Sequence, residues 1–175
     1  VTVDVTRHGR VFEIDALAQT HATIDIAWRT LTEYERLPQF VPGVTSARVL
    51  RRTQVDGLEH LLIEQRGEFR WLFFAQPVTV RMDVVHRAPT RVDARAVAMP
   101  SPDESQLDAF EGRYELETVA DGVRVRYVAR IVPRLVLPPV IGTLAVRQTV
   151  RAQFDAMVAE IERRSQSVAQ AVAPR

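Results

Sequence analysis

The feature that most constrains this chain is a change of hydrophobic period near Pro133. Segments near 44–52, 58–74, 77–87, 91–99, 106–120 and 122–132 alternate with period two or are rich in β-forming residues, which predicts a run of strands. Beyond Pro133, Val146, Val150, Phe154, Met157 and Ile161 recur every three or four residues. That spacing predicts one buried stripe on a long helix, with Pro139 in its first turn. Ahead of the strands, Phe12, Ile14, Ala16 and Ala18 share one face of a further strand over Val11–Ala18. Ile24, Ala27, Trp28 and Leu31 then make a helical stripe capped by Thr23, and Pro38 and Pro42 bound a short second helix from Tyr34 to about Phe40. The order predicts an α+β fold, a curved antiparallel sheet wrapped around a long C-terminal helix. At 175 residues the chain suits one domain, expected over 1–164, followed by a frayed tail over 165–175. One helix cannot cover the whole concave face of such a sheet, so a cavity is expected beside the two short helices.

Two dipeptides set the expected strand registers. Asp121-Gly122 reads as a tight turn that places Leu116 opposite Tyr127, Tyr114 opposite Ala129 and Glu117 opposite Arg126, with Arg113 against Arg130 as the one like-charged pair. Asp56-Gly57 places Leu50 opposite Ile63 and Arg48 opposite Gln65. If Phe69, Trp71 and Phe73 continue the inward face of Ile63, Arg48 and Gln65 point inward as well, and Glu64 points to solvent. A bulge at Gly67 would reset this register. An inward Arg48 must be paired or must face a wet cavity and a ligand's polar end.

Composition removes much chemistry. The chain has no cysteine, and all 23 basic residues are arginine. Disulfides, thiolate metal sites, Schiff-base lysines and phosphate-loop lysines are excluded. A net charge of +1, with arginines interleaved among acids, argues against a dedicated nucleic-acid binder. No apolar run approaches the roughly 18–20 residues of a membrane span. His8, His21, His60 and His86 lack metal-site spacing, and the glycines form no nucleotide-binding motif, so neither metal nor cofactor is expected. His86 continues the inward set Val80, Met82 and Val84 and is expected in the core or on a cavity wall. The apolar Leu135–Gly142 segment reads as packing between the last strand and the helix, or as a pocket-mouth lid able to touch a membrane or partner transiently. The chain begins at Val1, so the compartment stays open: cytoplasmic, or periplasmic if a signal peptide preceded it.

Trp28-x-x-Leu31-Thr32-x-Tyr34-Glu35-x-Leu37-Pro38-x-Phe40-x-Pro42-Gly43-Val44 resembles the helix pair of the START-like superfamily, in its polyketide cyclase/dehydrase and coenzyme-Q-binding branch. Phe110-Glu111-Gly112-Arg113-Tyr114, Asp121-Gly122, Pro133 and Leu137-Pro138 fit the second half of that pattern, and the likeness runs from about Phe12 to Arg164. Glu33 stands where Asp is commoner, and Tyr114 where Trp is common. The resemblance implies a helix-grip fold with an apolar cavity; it carries no superfamily-wide catalytic motif. The leading expectation is a protein that binds, and by extension transfers, a hydrophobic small molecule such as a lipid, isoprenoid quinone or polyketide. Phe40, Phe69, Trp71, Val80, Met82, Phe110, Tyr114 and Tyr127 are the expected lining, Arg48 and Gln65 the polar anchors, and Leu137, Ile141 and Leu144 the border of the entrance. The alternatives are an aromatase/cyclase drawing on Tyr114, Tyr127, His86 or Arg48, and an interaction module of the ribosome-associated, toxin-like branch, which the dispersed arginines do not favour.

Overall fold

A computed structural model describes residues 1–71, 74–101 and 105–172. In chain order the elements are β1 (Thr2–His8), β2 (Val11–Thr20), α1 (Ile24–Thr32), a 3₁₀ helix (Tyr34–Gln39), β3 (Val44–Val55), β4 (Leu58–Trp71), β5 (Phe74–Arg87), β6 (Arg91–Val97), β7 (Leu107–Val119), β8 (Gly122–Pro133) and α2 (Pro139–Val172). The strands form one antiparallel sheet in the order β1-β2-β8-β7-β6-β5-β4-β3. This is the α+β helix-grip arrangement. The edge strand β1 is not among the strands expected from the hydrophobic pattern; Val3 and Val5 supply its buried face.

Local signals placed the helices well. The Thr23 hydroxyl accepts from the Ile26 amide at 3.4 Å and caps α1, which buries Ala27, Thr30 and Leu31. On α2, Val146, Val150, Phe154, Met157 and Ile161 are all buried, as their spacing predicts. The helix runs through Ser165 to Val172.

Both hairpin registers differ from expectation, with opposite consequences. Asp56 and Gly57 sit at φ 51° and 77°, the left-handed pair a two-residue hairpin needs, and Val55 pairs with Leu58. A register shift between Val49 and Arg51 then leaves Leu50 unpaired, so Val49 faces Ile63 and Arg48 faces Glu64. One inserted residue turns every later side chain over. Arg48 therefore lies on the outer face, where it donates to Glu64 at 3.2 Å. Arg66 and Arg81 hold the same carboxylate at 3.2 and 3.0 Å and bury it. Burial pushes the Glu64 carboxyl up, but the arginines outweigh it and hold the group below its ordinary value. At the other hairpin the central residues are Ala120 and Asp121, and Val119 pairs with Gly122. Each partner moves by two, so faces are kept: Tyr114 meets Tyr127, Leu116 meets Val125, and Glu117 meets Arg124. The Arg113–Arg130 pair disappears, because Arg130 now faces Glu111.

The C-terminal half of α2 is fastened to α1 by charge. Arg163 and Arg164 both donate to Glu160 at 2.7 Å, and Arg164 also reaches Glu33, the C-cap of α1, at 2.7 Å. Hydrogen bonds from Arg163, and then from Arg164, hold the Glu160 carboxyl at about 2 against the opposing effect of burial. A carboxylate whose folded value is depressed stabilises the fold above its unfolded value, and that contribution disappears as pH falls through the folded one. Wild type should therefore lose this stabilisation between roughly pH 4.5 and pH 2. Urea unfolding of Glu160→Gln should show a shallower acid decline across that window and lower stability than wild type at pH 7.

Candidate functional site

Between the concave sheet face and α2 lies a cavity of about 350 Å³. Its walls come from inward positions on successive strands: Gln65 and Phe69 on β4, Val80, Met82 and Val84 on β5, Val92 and Ala94 on β6, Phe110 and Tyr114 on β7, and Tyr127 and Ile131 on β8. Leu31, Tyr34, Leu37 and Val41 close one side, and Val146, Val150, Phe154 and Met157 of α2 another. Alternation puts every second residue of each strand on this wall, so the cavity follows directly from the period-two pattern.

Of the residues expected from sequence, Gln65, Phe69, Val80, Met82, Phe110, Tyr114, Tyr127 and Leu137 line the cavity. Arg48 does not, because the Leu50 bulge turns it outward. Phe40 ends the 3₁₀ helix, lies under the Arg164 guanidinium, 5.9 Å from its ring, and is not among the residues lining the cavity. Ile141 and Leu144 are 42% and 51% exposed, since the inward stripe of α2 begins at Ala145 and Val146. The Trp71 side chain, and all of Phe73, lie outside the described residues. Leu137 is buried, and its segment is clamped by Arg7, which donates to the carbonyls of Leu137 at 2.8 Å and Pro138 at 2.9 Å while lying over the Phe12 ring.

Gln65, Tyr114 and Tyr127 supply polar groups on the wall as expected, but the sequence does not reveal that Tyr34 and Glu59 join His86. Strand pairing aligns Tyr127, Tyr114, Val92, His86 and Glu59 in one cross-strand row on the inner face. The 3₁₀ helix lays Tyr34 over this row. Its hydroxyl lies 2.6 Å from His86 Nε2, and His86 Nδ1 lies 2.8 Å from Glu59 Oε1. Arg52 donates to the other Glu59 oxygen at 2.7 Å, and Trp28 meets the His86 ring edge-on. Glu59 has the same inward parity as Leu61 and Ile63, so the signal was present. It became informative only once β4 and β5 were in register.

Burial pushes the Tyr34 phenol up, and the nearby Glu59 charge adds to this; burial also raises Tyr114 and Tyr127. Burial lowers His86, against the pull of Glu59. Glu59 is pushed up by burial, yet its hydrogen bond to Arg52, the Arg52 charge and the hydrogen bond from His86 bring it below its ordinary value. Near neutral pH the row holds one carboxylate, a neutral imidazole and neutral phenols. Among the described residues no cluster of three or more His, Asp or Glu side chains could hold a metal ion, and no helix is long and apolar enough to cross a membrane. The arrangement can enclose an apolar body and present hydroxyls to one part of it.

The fold recurs in solved structures. The STAR-related lipid transfer protein from Xanthomonas axonopodis superposes with a TM-score of 0.70 at 18% identity, over 91% of this chain and 90% of that one. The aromatase/cyclase Zhui, from a Streptomyces species, gives 0.66 at 14% identity, over 88% and 95%. A START superfamily protein from Mycobacterium smegmatis gives 0.66 at 13% identity, over 89% and 98%. At these identities the likeness establishes the shared fold alone. No curated protein matches the sequence significantly. Residues 20–158, however, match the profile of the family described as "Polyketide cyclase / dehydrase and lipid transport". With that match spanning most of its length, the chain belongs to the polyketide cyclase/dehydrase and lipid transport family.

Proposed function

We propose that this protein binds, and passes on, a hydrophobic small molecule of lipid, isoprenoid-quinone or polyketide type. The observation that carries this reading is the unfilled volume between α2 and the sheet, walled mainly by Phe, Val, Leu, Met and Tyr. Interiors of proteins pack densely, and voids of this size are few. Removing about 300 Å² of ligand apolar surface from water contributes about 7.5 kcal/mol before the costs of association. Similarity to a lipid transfer protein and to an aromatase/cyclase supports a guest of this kind. Organic extraction of purified protein followed by mass spectrometry should yield a lipid-like compound. Protein stripped of it should bind decylubiquinone in the micromolar range, with quenching of tryptophan fluorescence. A clean extract, together with no binding across fatty acids, quinones and aromatic polyketides, would defeat the reading.

A second reading, an aromatase/cyclase, is favoured by Tyr34 on the cavity wall and the His86–Glu59 pair hydrogen-bonded behind it. Its arrangement, a hydroxyl on an imidazole that is held by a carboxylate, is one that supports proton transfer. Turnover of a poly-β-ketone that falls at least tenfold in His86→Gln, with binding retained, would establish it.

A further inference from the structure

The hydrogen-bond chain behind Tyr34 fixes the direction in which that hydroxyl can act. Both Glu59 oxygens are engaged, one by Arg52 and one by His86 Nδ1. An ionised carboxylate only accepts, so Nδ1 carries a hydrogen and donates. The groups facing His86 are Glu59, Arg52, Tyr34 and the apolar ring of Trp28. Because Arg52 already balances Glu59, a second cation here would stand uncompensated in a site where His86 is only 6% exposed. The imidazole is therefore neutral, and its Nε2 offers a lone pair. At 2.6 Å from that nitrogen, the Tyr34 hydroxyl must be the donor. A phenol has one hydrogen, and this one is committed. Tyr34 also lines the cavity, near enough to Tyr114 that its charge would raise the Tyr114 phenol.

We infer that Tyr34 presents the cavity with a hydrogen-bond acceptor only, and so selects guests that carry an O–H at that end: phenols, enols, hydroquinones or alcohols over the corresponding ethers. This rests on the reading of the cavity as a ligand site and names the polar group its ligand would bring. The Tyr114 and Tyr127 hydroxyls make no hydrogen bond among the described residues, so they can donate or accept and do not impose the same choice. Leaving a buried acceptor opposite an ether oxygen is unfavourable, which is how polar groups reject an analogue that lacks the matching donor.

Two measurements test this. Calorimetric titration at pH 7.5 with 4-hexylphenol and with its methyl ether, 4-hexylanisole, should show wild type favouring the phenol at least tenfold. Tyr34→Phe should bind both within twofold of each other. Equal binding by wild type, or a preference that survives in Tyr34→Phe, overturns the inference while leaving the cavity reading intact. Failure of wild type to bind either probe overturns both. Independently of any ligand, ¹⁵N NMR of the imidazole should show the Nδ1–H tautomer for His86 at pH 7.5. An Nε2–H tautomer or an imidazolium overturns the inference even if the phenol is preferred.

Discussion

Gly122→Ala is expected to destabilise the protein by about 3–5 kcal/mol, at the upper end of single-site effects. Gly122 opens β8 at φ 132°, a backbone conformation that side-chain-bearing residues rarely adopt. A Cβ there would overlap the Thr20 carbonyl oxygen and approach the His21 Cα to 2.8 Å. Both obstacles are backbone atoms at the end of β2, the strand that pairs with β8, so relief requires the β2–β8 pairing itself to move. Urea unfolding should show a lower midpoint with an unchanged slope. Gly57→Ala is the control. Gly57 also has positive φ, at 77°, but a Cβ there meets nothing within 4 Å. It should cost only about 1–2 kcal/mol, the strain of the left-handed backbone alone. Equal losses at the two positions would show that the contact at Thr20 is not what makes Gly122 irreplaceable.

Val80→Trp should abolish ligand binding while the protein stays folded. Val80 is half-buried and faces the cavity from the middle of β5, paired with Gln65. An indole there enters the void and does not displace packed side chains, so the thermal midpoint should hold or rise by a few degrees. Decylubiquinone or fatty-acid affinity, measured by calorimetry, should fall at least 100-fold, which corresponds to about 2.7 kcal/mol. Undiminished binding would place the ligand somewhere other than this cavity.

These expectations draw on two kinds of information that the chain carries unequally. The stripe of α2, the Thr23 cap, the Asp56-Gly57 turn and the inward alternation of β4, β5, β7 and β8 are local properties. Each depends on residues a few positions apart, and the sequence displays them directly. That was enough to place most of the cavity wall, from Gln65 and Phe69 to Tyr114 and Tyr127. The two-residue error at the Asp121 hairpin did no harm to faces, because side chains alternate with period two. The one-residue bulge at Leu50 moved Arg48 from the expected cavity to a cluster on Glu64.

What the sequence by itself determined is therefore the class of fold, the apolar wall and the need for a filled or unfilled space beneath one helix. Only the tertiary structure decided which polar groups meet one another behind that wall. Tyr34, His86 and Glu59 come from three separate elements, and their meeting depends on strand register and on where the 3₁₀ helix settles on the sheet. Hydrophobic periodicity records which face of an element is buried, because burial acts on each residue singly. It does not record which buried polar group meets which, because a hydrogen bond depends on two distant positions at once.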